Sequence, residues 1–527
     1  MMGSPAPEAF DFVVVGAGSA GCIVGNRLSA DAGQTVLLLE AGPPPRSPWI
    51  AMPAALPRLL IPGPYNWPDM SVAQPELNGR SVWIGHGRTL GGSSAINGMV
   101  YNRGDRTDFA AWREQGCQGW DWDGVAPHFA RIESELGPTI PASPHRSVDA
   151  FIDAAVATGM PRSDFVAPEQ EGAGIFRMSI SEGRRRSAHD VFLGPVRGRA
   201  NLCIRTGAQV QRLIVAGGRA IGVRYAGPGG DMIAHARREI VLCTGAIDSP
   251  RLLMLSGIGP AGHLAANGIE VIADRPGVGA NFQDHLMCSV AVATTESGSM
   301  NRQLFGIRQV WHGLRYALTR TGPVAMGTSS AGGFVRVDRA SGRPQIQFSF
   351  RPFSAVRGNR ALYEVERPPA LTGSVSLLHP ASRGTVRLAG PDWQTRPLLD
   401  PAFLSDPADA PVLVSGLRHL ARIFRTEPMR ALVTAPLIPG DDGQDDEAIT
   451  AYVRQAGISM SHPVGTCRMG EDRQAVVDVR LRVQGISGLR IADASIMPDL
   501  PSGNTNAAAM MIGDRAAALI CEDARRD

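Results

Sequence analysis

The stretch that decides the fold is FVVVGAGSAG, residues 12–21. It joins a run of apolar residues to three glycines, and a helix-compatible stretch from Cys22 to Ser29 follows. This order predicts a buried strand, a tight turn and a helix. Gly16 would permit the sharp turn, Gly18 would let backbone amides approach a phosphate, and Gly21 would let helix and strand pack closely. The helix N-terminus adds positive partial charge at the same place.

An acidic residue completes the pattern at the end of the next apolar run. Residues 35–39 predict a second strand, and Glu40 follows Gly21 by nineteen residues. A dinucleotide-binding βαβ unit has an acid at this distance, where it accepts hydrogen bonds from a ribose. Three glycines alone are a weak signal, because glycine occurs in many turns, but here every part of the unit stands in order. We therefore expect residues 11–42 to bind a dinucleotide.

The composition is that of a globular protein with two or more domains. The chain has 527 residues, of which 44% are apolar and 19% charged, and its formal net charge is +3. These values are ordinary for a soluble protein of this size. The only dense basic run, Arg184–Arg186, has no aromatic residues interleaved with it. We therefore expect no nucleic-acid partner.

The cysteines and the longest apolar runs bear on location. The seven cysteines are odd in number and scattered, which predicts reduced thiols and neither a disulfide framework nor a metal site. Residues 1–10 lack a basic stretch followed by an apolar one, and no apolar run has spanning length. We therefore expect a cytoplasmic protein with no membrane partner and no bound metal.

Further segments surround the βαβ unit. A proline-rich excursion to about Trp67 predicts irregular structure. Residues 87–104 contain a glycine and serine cluster that predicts a helix start, where Ser93 or Ser94 either caps the helix or offers a hydroxyl to an anion. The remaining predicted elements are strands at 201–216, 220–225, 240–243, 345–350 and 373–378, helices within 245–259 and 412–425, and a solvated loop at 441–446.

Two of these segments resemble a known family. Residues 87–104 and 245–259 match both signature patterns of the glucose-methanol-choline (GMC) family of FAD-dependent oxidoreductases, and Asp284-His285 after a glycine-rich turn is similar to it as well. The similarity covers nearly the whole chain. It implies an α/β fold with a Rossmann-type FAD-binding domain and a second, α+β substrate-binding domain built on an antiparallel sheet. The implied boundaries are 10–157, 201–285 and 457–527 for the first domain, and 158–200 and 286–456 for the second.

The C-terminal part contains two candidate catalytic residues. His462 lies in a loop rich in glycine, serine and proline, and considered alone it favours a structural role. In the GMC family, a histidine that opens a motif of this form stands beside the reactive edge of the flavin. Asn504 corresponds to the family's second active-site residue, which is histidine in some members and asparagine in others. The alternative for Asn504 and Asn506 is capping of a helix predicted at 507–520.

The resemblance also implies which residues hold the FAD. Non-covalent attachment is expected. Covalent members of the family carry the flavin on a histidine that precedes the flavin contacts at 91–104, and His86 is the only histidine that could serve in this way here. The implied contacts are Gly16, Gly18, Ser19, Ala20, Gly21, Glu40, Ala41, Arg88, Leu90, Gly91, Ser93, Asn97, Gly98, Met99, Val100, Val210, Thr244, Gly245, Asp493, Ala494, Asn504, Thr505 and Asn506.

The chemistry implied is alcohol oxidation. A hydride leaves a carbinol carbon for flavin N5 only if the hydroxyl proton is lost, so His462 is the expected base. Asn504 is expected to donate a hydrogen bond to the developing alkoxide. Met460 and Ser461 form a moderately apolar approach, which favours a primary aryl or aliphatic alcohol. Either dioxygen or another acceptor would reoxidise the flavin.

Other functions remain open on the same fold. The strongest alternative is a lyase of the hydroxynitrile type, in which the flavin is a bystander. A disulfide reductase is disfavoured because no cysteine pair follows the βαβ unit. A flavoprotein without catalysis is disfavoured by the joint presence of His462 and Asn504.

Overall fold

The predicted βαβ unit is present in the structure. The structure is a computed structural model, and it describes residues 8–141, 145–356, 364–436 and 445–525. Strand Glu8–Val15 leads into helix Ser19–Leu28 and then into strand Val36–Glu40. The two strands pair in parallel, with Phe12 opposite Val36. Most of the predicted loop at 441–446 lies outside the described residues.

This unit forms the centre of a seven-stranded sheet, which we call the first sheet. Four of its strands run parallel to one another and two more continue it as an antiparallel hairpin. A short parallel strand, Leu489–Ile491, pairs with the long strand Gly230–Leu242. In spatial order the other strands are Leu202–Thr206, Val36–Glu40, Glu8–Val15, Gly230–Leu242, Arg219–Gly227 and Gln209–Ala216.

A second seven-stranded sheet is antiparallel throughout, and we call it the second sheet. It contains the two strands predicted around residues 345–350 and 373–378. In spatial order its strands are Val433–Pro436, Leu286–Thr294, Ala370–Leu377, Ile346–Arg351, Ala331–Val335 and Gly172–Ile175, with Ile458–Ser459 paired to Leu286–Thr294. The predicted fold class, an α/β FAD-binding fold with a second unit on an antiparallel sheet, is confirmed.

Short two-stranded pairs and helices complete the fold. The pairs are Ile258–Gly259 with Ala273–Asp274, Ala355–Val356 with Glu364–Val365, Thr385–Arg387 with Leu398–Asp400, and Ile180–Ser181 with Arg184–Arg185. The α-helices are Ser19–Leu28, Pro48–Ala51, Leu56–Leu59, Arg106–Glu114, Trp122–Leu136, Arg146–Ala157, Gly245–Leu255, Ala261–Ala266, Gly306–Thr319, Asp409–Arg425, Asp446–Ala456 and Asn506–Asp523. Within the described ranges, no helix combines the length and apolarity that a bilayer-spanning segment needs.

Each sheet has its own hydrophobic cluster of buried side chains. Helix Arg146–Ala157 contributes Phe151 to the cluster of the second sheet, where its ring stacks on Phe350 with centroids 4.6 Å apart. Strand Ile458–Ser459 also belongs to the second sheet. Both segments were assigned by sequence to the FAD-binding domain, so these contacts favour shifting those two limits. The domain boundaries themselves stay a prediction.

Candidate active site

A large cavity lies where the carboxyl ends of the parallel strands approach the second sheet. Its volume is about 520 Å³, within the range of ordinary ligand sites. Val15 and Leu39 from the first sheet and Met287 and Ser349 from the second sheet line it. The carboxyl edge is where open α/β sheets bind ligands. The predicted site residues that line the cavity are Gly16, Gly18, Ser19, Ala20, Glu40, Ala41, Ser93, Asn97, Gly98, Met99, Val100, Val210, Thr244, Gly245, His462, Asp493, Ala494, Asn504, Thr505 and Asn506.

The glycines of the first turn divide into closely packed and open positions. A Cβ at Gly16 would lie 2.5 Å from the carbonyl oxygen of Cys243, and one at Gly21 would lie 1.9 Å from that of Gly16. A Cβ at Gly18 would have only one neighbour, the Cys243 oxygen at 3.9 Å, and Gly18 lines the cavity. A ligand phosphate can therefore approach the backbone at Gly18, which is the N-cap of helix Ser19–Leu28.

Three more of the predicted cofactor residues lie behind the cavity wall, as Gly21 does. The Arg88 guanidinium lies 4.7 Å from the centre of the Trp67 ring, and Leu90 is buried in the first cluster. The amide of Gly91 donates to the carbonyl of Ala17 at 2.8 Å. These residues hold the wall in place, and their direct contact with a cofactor stays a prediction.

Glu40 stands at the cavity wall with its carboxylate held by backbone amides. Ala17 N donates to one oxygen at 2.9 Å and Gly42 N to the other at 2.8 Å. Burial raises the pKa of the carboxyl to about 7, against the effect of these two hydrogen bonds. Each oxygen keeps a further lone pair for a ribose hydroxyl.

The helix predicted after the glycine and serine cluster is not formed, so that expectation is wrong. Gly92–Ala95 make a single 3₁₀ turn. The positive φ angles of Gly91 (+93°) and Met99 (+65°) take the chain out of a helical path. The hydroxyl of Ser94 donates to the carbonyl of Gly91 at 2.5 Å, so it caps no α-helix. The result is an irregular turn of which Ser93, Asn97 and Gly98 line the cavity.

A buried arginine from the basic run fixes this turn. Arg185 donates to the side-chain oxygen of Asn97 at 2.8 Å and to the carbonyl oxygens of Ser94 at 3.2 Å and Ile50 at 2.9 Å. Burial lowers its pKa to about 9, which still leaves it charged at neutral pH. The middle of the run is therefore a structural part of the cavity wall.

Asp493 also acts within the wall. Its carboxylate accepts hydrogen bonds from Gly245 N at 2.9 Å, Ser249 Oγ at 2.6 Å and Ser495 N at 2.8 Å. Burial raises the pKa of this carboxyl. Asp493 thus ties the start of helix Gly245–Leu255 to the loop that follows strand Leu489–Ile491.

Neither asparagine caps the C-terminal helix with its side chain, so the capping expectation is wrong. The helix begins at Asn506, and its N-cap residue, Thr505, makes no side-chain cap hydrogen bond. Asn506 instead accepts from the hydroxyl of Ser19 at 2.7 Å. The amides of the first helical turn therefore have no side-chain partner at an end that lines the cavity.

His462 lies beside a second histidine. Nε2 of His285 is 3.0 Å from the carbonyl oxygen of Leu378, and its Nδ1 is 2.9 Å from Nδ1 of His462. Because a carbonyl only accepts, His285 carries its proton on Nε2, and its Nδ1 then accepts from Nδ1–H of His462. Nε2 of His462 is consequently unprotonated, and it lies 3.2 Å from Nδ2 of Asn504.

Both imidazoles are neutral at physiological pH. Burial lowers the pKa of His462 to about 4. Burial, followed by repulsion from His462, lowers the pKa of His285 well below its ordinary value. A neutral His462 keeps the lone pair on Nε2 available at the cavity.

Two neighbours orient these groups. One oxygen of Asp284 accepts from the backbone amide of His462 at 2.8 Å, and the other accepts from the hydroxyl of Ser459. Burial raises the pKa of Asp284 to about 7. Gln347 donates to Oδ1 of Asn504 at 3.4 Å, which turns the amide nitrogen of Asn504 toward His462.

Sequence reasoning missed His285 and Gln347 as parts of the site. His285 stands in a quoted family pattern, but its contact with His462 joins positions 177 residues apart. Gln347 occupies an ordinary position in strand Ile346–Arg351. No local pattern could have assigned either residue a role. Across the described ranges, no group of three or more His, Cys, Asp or Glu side chains could hold a metal ion.

Comparison with known proteins identifies the class. Two family models, the N- and C-terminal parts of the GMC oxidoreductases, match residues 10–287 and 380–513. The chain belongs to the GMC oxidoreductase family, and it is therefore an oxidoreductase of a family that binds FAD.

Its relatives are similar over most of their length. Human mitochondrial choline dehydrogenase is 38% identical, and the match covers 98% of this chain and 91% of that protein. An alcohol dehydrogenase [acceptor] of Pseudomonas putida is 35% identical, with 97% and 95% covered. The solved structure of pyridoxine 4-oxidase from Mesorbium loti is 32% identical, with a TM-score of 0.87 and 97% and 99% covered.

Proposed function

We propose that this protein oxidises the CH–OH group of a small alcohol to an aldehyde, with non-covalently bound FAD as the redox cofactor and His462 as the base. The observation that carries the proposal is the chain of contacts from Leu378 through His285 and His462 to Asn504, which leaves Nε2 of His462 as an acceptor at the cavity. Bound FAD would supply the hydride acceptor, N5. The protein supplies the proton acceptor and the orientation of the substrate.

A hydroxyl group placed beside His462 and Asn504 could bond to both. The 3.2 Å contact between Nε2 and Nδ2 is a long hydrogen bond. An alcohol oxygen about 2.8 Å from each nitrogen would donate to Nε2 and accept from Nδ2, so two hydrogen bonds would replace one. As the carbinol carbon loses its hydride, His462 takes the hydroxyl proton and Asn504 stabilises the charge developing on oxygen.

The parts of the cavity away from His462 and Asn504 suit a dinucleotide. The open backbone at Gly18 and the helix N-terminus behind it suit a pyrophosphate, and Glu40 suits an adenosine ribose. His86 supports non-covalent attachment, because its Nε2 is already engaged by Asp69 at 2.7 Å. Asp69 is in turn paired with Arg396 at 2.5 Å, so a covalent bond at Nε2 would break a buried network.

The substrate end favours a primary aryl or aliphatic alcohol. Met287, Phe353, Val365 and Met460 line the cavity with apolar side chains, and Ser349 adds a hydroxyl. Such a wall stabilises an apolar alcohol body by burial. The relatives are named for choline, alcohol and pyridoxine, and these compounds belong in the test panel.

Anaerobic flavin reduction tests the proposal. The yellow holoenzyme is mixed without oxygen with benzyl alcohol, octanol, choline, pyridoxine and a cyanohydrin, and absorbance is followed. We expect bleaching by a primary alcohol and formation of the aldehyde. Cleavage of the cyanohydrin with the flavin still yellow, and no bleaching by any alcohol, would instead establish the lyase. Parallel assays of peroxide release and dye reduction would identify the acceptor class; a cytoplasmic location stays a prediction.

A further inference from the structure

Helix Gly306–Thr319 presents an apolar face directly to solvent. Ile307, Val310, Trp311, Leu314 and Leu318 are 82, 66, 61, 51 and 75% exposed. At about 100° per residue these five side chains fall within an arc of roughly 100°. Scattered single apolar residues need no explanation, but a contiguous exposed stripe marks an interaction surface.

The opposite side of the helix holds it to the protein. Tyr316, the only buried residue of the helix, lies about 180° from Ile307 around the helix axis. Its hydroxyl contacts the carbonyl oxygen of Ala51 at 3.5 Å. The apolar stripe therefore points away from the body of the molecule.

The polar flank of the stripe is basic. Arg308 and Arg315 lie together on one edge, at about 100° and 80° from Ile307, and Arg320 follows at the C-cap. The helix contains no acidic residue. Within the described part of the chain, these three arginines form no ion pair with an acidic side chain.

We propose that this helix docks the enzyme on an anionic phospholipid surface, with the stripe inserted at the headgroup boundary and the arginines on lipid phosphates. An apolar face with tryptophan, arginine at its edge and low overall hydrophobicity is the pattern of helices that lie in the plane of a membrane. This proposal departs from the sequence-based expectation of no membrane partner. That expectation rested on the lack of a spanning apolar run, whereas this helix would lie on the membrane surface.

Charge decides between a membrane and a second copy of the chain. Pairing two antiparallel copies of this helix through the stripe would place the arginines of both on the same edge, with no carboxylate from either helix. Anionic headgroups instead complement them, and each basic residue near such a surface adds about fivefold to binding.

The side of the helix opposite the stripe contacts a segment that reaches the cavity. The helix contacts Ala51, and the same segment continues into Leu56, Pro57 and Leu60, which line the cavity. Docking would thus hold the segment from Ala51 to Leu60 near the lipid surface, and this segment forms part of the cavity wall.

Vesicle flotation of the holoenzyme tests this inference. We expect it to float with vesicles of mixed phosphatidylcholine and phosphatidylglycerol, more weakly with phosphatidylcholine alone, and less as salt rises. The double variant Ile307→Ser/Leu318→Ser should lose about tenfold or more of this partitioning, and Arg308→Gln about fivefold. The matched control is Ile140→Ser/Val166→Ser, which removes two apolar side chains of 52 and 47% exposure elsewhere and should float like wild type.

Flavin content and activity on a water-soluble alcohol report whether each variant is folded, since none of these residues lines the cavity. Wild-type enzyme that stays unbound would overturn the inference. So would equal flotation of the Ile307→Ser/Leu318→Ser variant, or a wild-type dimer that this variant converts to a monomer without any vesicle binding.

Discussion

The Asn504→Asp substitution tests the proposed site most sharply. In the structure, Nδ2 of Asn504 donates to Nε2 of His462 at 3.2 Å, and Gln347 donates to the other end of the amide. Aspartate has nearly the same shape, but it replaces the donor with a carboxylate oxygen that can only accept. The variant therefore places two acceptors face to face unless His462 takes up a proton.

Two effects follow, and they differ in pH dependence. Loss of one donor to a developing oxyanion costs roughly 10²- to 10³-fold in rate. A carboxylate within about 4 to 6 Å also raises the pKa of a histidine by roughly 1 to 3. The pKa of His462 starts near 4, so the variant should titrate between roughly 5 and 7.

The direction in which the rate changes with pH follows from the proposed role of His462 as the base. The reaction needs neutral His462, so its rate falls as pH drops below the histidine's pKa. The wild-type rate should show no loss from this group between pH 8 and 6. In Asn504→Asp the donor defect should remain at pH 8, and a further loss of up to about tenfold should appear by pH 6.

Anaerobic stopped-flow measurement of flavin reduction against pH checks both effects. Asn504→His is the control, because histidine can restore a neutral donor, and its rate should lie between those of wild type and the aspartate variant. An aspartate variant with the rate and pH profile of wild type would remove Asn504 from the mechanism and refute the assigned geometry.

Three further predictions concern the base, its neighbour and the cofactor. His462→Ala should keep its FAD and lose roughly 10²- to 10⁴-fold in flavin reduction, and near-normal reduction would assign His462 to packing. His285→Leu, which leaves Nδ1–H of His462 without an acceptor, should lower kcat by roughly 10- to 100-fold with KM little changed. His285→Gln should recover part of that loss, because its amide can still donate to Leu378 and accept from His462, whereas equal loss in both variants would make His285 structural. Denaturation should release FAD and leave the mass of the polypeptide unchanged, and a flavin-sized increase would point to a bond at His86.

The parts of the fold that are local in sequence are predictable. Strand, turn, helix and acid at 11–42 follow from residue periodicity and the steric needs of Gly16 and Gly21, and the structure contains them. Helix Asp409–Arg425 follows from its apolar spacing in the same way.

The 87–104 segment shows where local reasoning fails. A serine after two glycines predicts a helix cap, but Gly91 and Met99 adopt positive φ. The turn is held from outside by buried Arg185, which contacts Ser94 and Asn97 from about ninety positions away. Such a contact has no signature near the turn itself.

The candidate site likewise contains residues that the sequence predicts and residues that it does not. His462 and Asn504 are found by motif order, because the family motif is local. His285 acts on His462 through a contact that only folding creates. The sequence does not predict that the apolar stripe of helix Gly306–Thr319 is exposed, because the same periodicity is typical of a helix face buried in a core.

The histidine pair also determines where the proton can go. His285 cannot pass on a proton received at Nδ1, because its Nε2–H already faces the carbonyl of Leu378, which only accepts. Its low pKa further opposes taking a second proton. A proton taken up at Nε2 of His462 would therefore find no relay through His285, to which Nδ1–H stays bonded. If His462 is the base, as proposed, the substrate proton can leave it only toward the cavity, and its pKa of about 4 favours that release.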